Sequence, residues 1–144
     1  MATLQEEYNA CLFHSASALG RSLTMLADRH FRPAGITPTM GFILMTAKKA
    51  PGIKITDLAL VHQLDASTIS RTLDKMTALE LVQREGQGRE MRVFNTPKGM
   101  KKEAEAESAW GKLRVAYSLL LGEGAAKALA ATTSNADGLL RKNR

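Results

Sequence analysis

Asp65-Ala66-Ser67-Thr68-Ile69-Ser70-Arg71-Thr72-Leu73-Asp74-Lys75-Met76 is the stretch on which the fold of this chain turns. Ile69, Leu73 and Met76 fall at i, i+4 and i+7, so a helix puts them on one buried face. Asp65 stands where an N-cap accepts a backbone N–H and where negative charge suits the helix dipole. The opposite face collects Ser67, Ser70, Arg71, Asp74 and Ala78, with Thr68 and Lys75 on its flank. Short hydroxyls and one arginine leave that face low enough to lie on the floor of a DNA major groove. There, arginine grips guanine O6 and N7 with two donors. A solvated helix exterior has the same composition, so the flanking segments must decide.

Upstream, residues 53–64 read as a shorter helix with Leu58, Ala59 and His62 facing inward, joined to the next helix by a tight connection at Gln63 to Asp65. Two helices so joined make a helix-turn-helix. Downstream, residues 81–85 and 91–95 are strand-like and separated by Gly86-Gln87-Gly88, a hairpin with a flexible tip. Arg84, Arg89 and Arg92 line it. Thr96-Pro97 then supplies an N-cap and a proline at the first helical position. Helix, turn, helix, basic hairpin, helix is a winged helix-turn-helix, spanning about residues 37–99.

The segments outside that core are predicted to be helical. Residues 4–32 read as one long helix with Leu4, Tyr8, Cys11, Leu12, Ser15, Leu19, Leu23, Leu26 and His30 turned inward. Thr37 and Pro38 open the next helix, which packs through Met40, Ile43, Leu44 and Ala47 and ends in the solvated pair Lys48-Lys49. After the wing, residues 97–121 carry Ala104, Trp110, Leu113, Tyr117 and Leu120 as packing positions. Gly122-Glu123-Gly124 breaks that helix, and an alanine-rich helix over about 125–140 precedes the basic tail 141–144. The terminal helices carry more apolar surface than the winged unit can cover, which suggests a second subunit. The expected fold class is all-α with a small β-hairpin wing, one domain over 1–144, with dimerisation helices at about 4–32 and 97–141.

Composition agrees with a DNA partner. The 144 residues carry a net charge of +6, with 24% charged and 44% hydrophobic positions, which suits one globular domain and an anionic partner. Positive charge concentrates at the wing: Arg84, Arg89, Arg92, Lys98, Lys101 and Lys102 are opposed there only by Glu85 and Glu90. The single cysteine excludes an intrachain disulfide framework and multi-cysteine zinc patterns. No apolar run reaches spanning length and no leader precedes the first helix, so a cytoplasmic protein without membrane association is expected. No cofactor or metal is expected: His14 and His30 lack partners at ligand spacing, and Gly86-Gln87-Gly88 is followed by a strand rather than a helix. No catalytic constellation is present, so the chain is not read as an enzyme.

Several segments together resemble the MarR family (multiple antibiotic resistance regulators): Ile36-Thr37-Pro38, Ala50-Pro51-Gly52, Leu58-Ala59, Leu64 through Arg71, Leu81-Val82-Gln83-Arg84 and Thr96-Pro97-Lys98-Gly99. The likeness covers about residues 8–121. It implies a homodimeric DNA-binding transcriptional regulator on a pseudo-palindromic operator, often a repressor responsive to a small aromatic ligand or an oxidant. On that reading Ser67, Thr68, Ser70 and Arg71 read base edges. Arg89 enters the minor groove, while Lys75, Arg84 and Arg92 meet the DNA backbone. The wing departs from the family pattern, because Gln87 stands where the resemblance leads one to expect the aspartate that steadies Arg89. Arg84 or Arg92 serves equally well as an ion-pair partner of Glu85 or Glu90.

The resemblance also implies an effector pocket, for which His14, Arg21, Met45 and Trp110 are candidate lining. His62 reads as a hydrogen-bonded core residue. Leu60 and Val61 leave apolar surface on the first helix of the motif. Cys11 falls on the apolar stripe, where a thiol packs as a small hydrophobe, while the family resemblance offers peroxide sensing as an alternative. A winged-helix interaction module without DNA binding is the rival from another class.

Overall fold

Threonine side chains cap the N-terminal ends of three helices in the computed structural model, which describes residues 1–143. The helices are α1 (Leu4–Asn9), α2 (Leu12–Phe31), α3 (Pro38–Lys49), α4 (Ile55–His62), α5 (Ala66–Ala78), α6 (Pro97–Leu121) and α7 (Glu123–Arg141). The strands are β1 (Ile53–Lys54), β2 (Val82–Glu85) and β3 (Arg92–Asn95). Of the basic tail, Arg144 lies outside the described residues. The chain divides into two compact units, Met1–Trp110 and Gly111–Arg144.

Within the first unit, Thr37 Oγ1 accepts the Met40 N–H at 3.3 Å and Thr96 Oγ1 accepts the Gly99 N–H at 2.9 Å. Both threonines therefore cap helices that begin with proline, as their spacing predicts. Phe31, Ile43, Leu44, Leu58, Ile69, Leu73, Met76 and Val93 are sealed from solvent and form the core between α2, α3, α4, α5 and the sheet.

The wing is a three-stranded antiparallel sheet in the order β1-β3-β2, not a bare hairpin. Ile53 and Lys54, expected to open a helix, instead pair with Val93 and Arg92. The reason is local: Gly52, at φ +79°, turns the chain after α3, and its N–H donates to Val93 O at 3.0 Å. The short helix α4 then starts two residues later than expected.

The first helix is likewise interrupted. Thr3 and Glu6 form a capping box over α1, and the chain turns extended at Cys11 before α2 begins. Tyr8 and His14 stack across the break with ring centroids 5.8 Å apart. Six residues of unbroken helix would separate them by about 9 Å along the axis, so the stack and a continuous helix exclude each other. Cys11, expected in the core, is exposed. The predicted inward stripe is mostly open: Leu4, Tyr8, Leu12 and Leu23 are among the exposed apolar side chains, and only Phe31 of α2 is fully buried.

Helix α6 keeps its predicted bounds but only part of its predicted packing face, with Leu113 buried and Trp110 and Tyr117 half-buried. Up to Trp110 the buried positions are Gly99, Glu103, Ala106 and Ala109, whereas Ala104 is exposed. Glu103 is buried because Lys48 meets it at 3.1 Å, with Glu107 at 3.9 Å from the same ammonium. The hydrogen bond to Glu103, helped by the charges of Glu103 and Glu107, raises the Lys48 pKa. Lys48 thus ties α3 to α6 while staying at the exposed helix end expected of it. Gly99 lets the first turn of α6 pass directly against the backbone of Leu81, whose carbonyl occupies the place a Cβ would need.

The second unit consists of α6 from Gly111 onward and α7. Gly122, at φ +93°, separates the two helices, and its N–H closes α6 on Ser118 O at 2.8 Å. Here α7 begins at Glu123, two residues before the expected start. Leu113 and Ala126 are buried, whereas Val115, Leu119, Leu120, Leu139 and Leu140 stand open. Leu120 was expected to pack, and on the chain alone it does not.

Candidate nucleic-acid interface

The presented helix is α5. Ile69, Leu73 and Met76 are fully buried, which turns Ser67, Arg71, Asp74 and Lys75 outward and leaves Thr68 and Ser70 at the edge of that face. Asp65 occupies the N-cap position, but its side chain makes no capping hydrogen bond. Its contribution there is charge, not the bond expected. The turn before it is tight because Gln63 adopts a left-handed conformation (φ 55°, ψ 41°) and closes α4 through its N–H.

The far end of α5 is tied down from α6. Lys98 Nζ donates to Leu79 O at 3.0 Å, and Thr96 Oγ1 donates to Glu80 O at 2.6 Å. These bonds satisfy carbonyls that a helix end otherwise leaves to water. The exposed face of α5 is therefore held at its C-terminal end and rests on an apolar floor. On that face Arg71 Nη2 reaches Thr68 Oγ1 at 3.4 Å, a long contact that restrains the guanidinium only weakly.

The wing carries its arginines in three different states. Arg84 Nη1 donates to Asp74 Oδ1 at 2.7 Å, joining β2 to α5. Arg92 Nη1 donates to Gly52 O at 2.9 Å, joining β3 to the turn before β1. Arg89 is exposed at the tip, inside a single 3-10 turn over Gly88–Glu90. The next residue, Glu90, pairs with Lys54 at 2.9 Å. That hydrogen bond and charge, with Arg92 nearby, lower the Glu90 carboxyl pKa. Neither arginine pairs as expected with Glu85 or Glu90; their partners, Asp74 and the Gly52 carbonyl, were missed. Asp74 had been placed on the exposed face of the helix, so the missing signal was how close β2 comes to it.

The proposed effector lining is dispersed in character. Met45 is buried in α3, Arg21 is exposed on α2, and His14 stacks on Tyr8. Trp110 meets Phe42 edge-on at 5.6 Å. Phe42, which sequence reasoning passed over, also approaches Phe31 at 6.3 Å and His62 at 6.1 Å. Thr46 Oγ1 donates its one proton to Phe42 O at 2.7 Å, so His62 Nε2, at 2.8 Å, must be the donor to Thr46. His62 is the hydrogen-bonded core residue expected, and partial burial pushes its pKa down. Leu60 and Val61 are exposed beside it, as their positions suggested.

Among the described residues no group of three or more His, Cys, Asp or Glu side chains could hold a metal ion. No helix among them is long and apolar enough to cross a membrane.

Comparison with known proteins bears on the same elements. The family model described as MarR family matches residues 36–87, from the start of α3 to the wing tip. No curated protein sequence matches the chain. Among solved structures, the chain is similar to the transcriptional repressor CouR bound to p-coumaroyl-CoA, with a TM-score of 0.82 at 18% identity over 91% of this chain and 94% of that one. It is similar to the M. tuberculosis transcriptional regulator MosR in complex with DNA, with a TM-score of 0.75 at 22% identity over 91% and 98%. It is also similar to the S. aureus MepR–DNA complex, with a TM-score of 0.75 at 18% identity over 90% and 98%. At these identities the likeness is one of fold.

Proposed function

Because the chain carries a MarR-family winged helix-turn-helix, we propose that it acts as a homodimeric, ligand-responsive repressor on a pseudo-palindromic operator. It is read as a regulator and not as an enzyme. The observation that carries this reading is the exposed hydroxyl-and-arginine face of α5, set on Ile69, Leu73 and Met76 and restrained at its C-terminal end by Thr96 and Lys98. Ser67, Thr68, Ser70 and Arg71 read base edges in the major groove. Arg89 enters the adjacent minor groove, and Lys75 meets a phosphate. Arg84 and Arg92 turn their remaining N–H groups to the DNA backbone while one donor of each stays bound within the protein.

The dimer is supported by apolar helix surface that each unit leaves open: Leu4, Leu12 and Phe13 in one, Leu119, Leu120 and Leu140 in the other. The ligand is a small aromatic molecule. Supporting it are the aromatic group of Phe31, Phe42, His62 and Trp110 and the fold likeness to CouR, which was solved with p-coumaroyl-CoA.

Selection of duplexes from a random pool tests the proposal. It should return a pseudo-palindrome with half-site centres about 34 Å apart, one helical turn. A pool that shows no enrichment would defeat it. The second reading, an interaction module without DNA binding, draws on the exposure of Leu60 at 76% and Val61 at 57%. That module would show no salt-dependent duplex affinity.

A further inference from the structure

Within the wing, Lys54 does not reach outward. Its ammonium lies 2.9 Å from Glu90 Oε2, so β1 grips the chain immediately after Arg89. The tip on the other side of Arg89 is folded back tightly. Gly86, at φ +103°, lies so close to the Glu90 carbonyl that a Cβ there would meet it at 2.9 Å. Gly88 is also left-handed, at φ +56°. Glu90 N–H donates to Gln87 O at 3.1 Å, and Met91 N–H to Gly88 O at 3.3 Å. Below the tip, Lys54 pairs with Arg92 across the sheet and Ile55 N–H donates to Met91 O at 3.1 Å.

Resting on the DNA reading above, we propose that the Lys54–Glu90 ion pair is a positioning device that aims Arg89, with neither partner touching DNA. Glycines at 86 and 88 give the turn its shape but also its freedom, since glycine restricts the backbone least. An anchor one residue from Arg89 removes much of that freedom before binding, and pre-organisation of this kind raises affinity without adding a contact. Lys54 then does for the wing what a phosphate-binding lysine cannot: its charge is engaged by another residue of the wing. Glu90, an acid that should repel DNA, contributes to binding through the arginine beside it.

The sign of one substitution separates this from plain electrostatics. Removing a negative charge next to a phosphate backbone should tighten binding. Loss of the anchor should instead weaken it, by roughly two- to fivefold per half-site, the range expected of an exposed ion pair. The experiment measures affinity and its salt dependence for wild type, Lys54→Met, Glu90→Gln and Arg89→Ala, on a duplex selected by the wild type from a random pool. Expected are equal losses in Lys54→Met and Glu90→Gln, a salt slope unchanged from wild type in both, and no further loss from Glu90→Gln on the Arg89→Ala background. Equal or tighter binding by Glu90→Gln overturns the proposal. So does a slope reduced by about one in Lys54→Met, the mark of a lost phosphate contact. A wild type that binds no duplex removes the DNA reading and this inference together, whereas a binding wild type with a tighter Glu90→Gln removes this inference alone.

Discussion

Asp74, on the outward face of α5, receives the Arg84 guanidinium from β2 at 2.7 Å, so the wing is bonded to the helix it accompanies. The Arg84 side chain is 26% exposed and that of Asp74 63%, so solvent screens most of the attraction. A double-mutant cycle with Arg84→Ala and Asp74→Ala should give a coupling of roughly 0.2–1 kcal/mol in denaturant unfolding. The coupling should shrink as salt rises. No coupling at low salt would mean that the pair does not hold in solution.

Gly99→Ala should be severe for a residue that bears no side chain. The added methyl would occupy the position of the Leu81 carbonyl, which itself accepts the Thr96 N–H at 3.0 Å. Backbone cannot step aside as a flexible side chain does, so about 2 kcal/mol or more of stability should go. Thermal unfolding of the variant reads this directly, and a melting point equal to wild type would contradict the packing of α6 on the start of β2.

Stability should fall in mild acid because of His62. Its folded pKa lies below the ordinary value of about 6.5. As pH drops through that value the unfolded chain takes up a proton that the folded chain resists. The His62 contribution is therefore complete above about 6.5 and is lost progressively below it. Urea unfolding at pH 7.5 and 5.5 should show a smaller difference in His62→Gln than in wild type. Identical pH dependence in the two proteins would contradict the assignment.

Leu119 and Leu120 are 81% and 79% exposed, and full burial of a leucine is worth about 1.5–3 kcal/mol. Sedimentation should show a dimer for wild type and a monomer for the Leu119→Asp, Leu120→Asp double variant, with helical content unchanged. A double variant that remains dimeric would place the interface elsewhere.

Legibility along the chain followed the range of the interactions involved. Ile69, Leu73 and Met76, and the caps at Thr37 and Thr96, rest on spacing of a few residues, so periodicity and capping chemistry found them. Strands β2 and β3 were legible for the same reason, whereas β1, which pairs with β3 about 40 residues on, was not. Arg84–Asp74, Lys54–Glu90 and Lys48–Glu103 join residues from 10 to 55 positions apart, and no local pattern marks them. Glu103 shows the consequence. Its sequence neighbours give no sign that it is a buried residue held by a lysine from another helix. The break at Cys11 is not legible because Leu4, Tyr8 and Leu12 keep helical spacing through it; the extended backbone at Cys11 and the Tyr8–His14 stack show that the chain turns. Asp65 was placed correctly as an N-cap position and credited with a bond it does not make.

The account stands on Arg71, the exposed guanidinium of α5, reading a base and not merely a charge. Binding of Arg71→Ala should be measured against the selected operator and every single-base-pair variant of one half-site. The expected loss is about 1–3 kcal/mol on the operator, with discrimination erased at one base pair and intact at the others. A uniform loss across all sequences, with every preference retained, would make Arg71 a backbone contact and contradict the reading of α5.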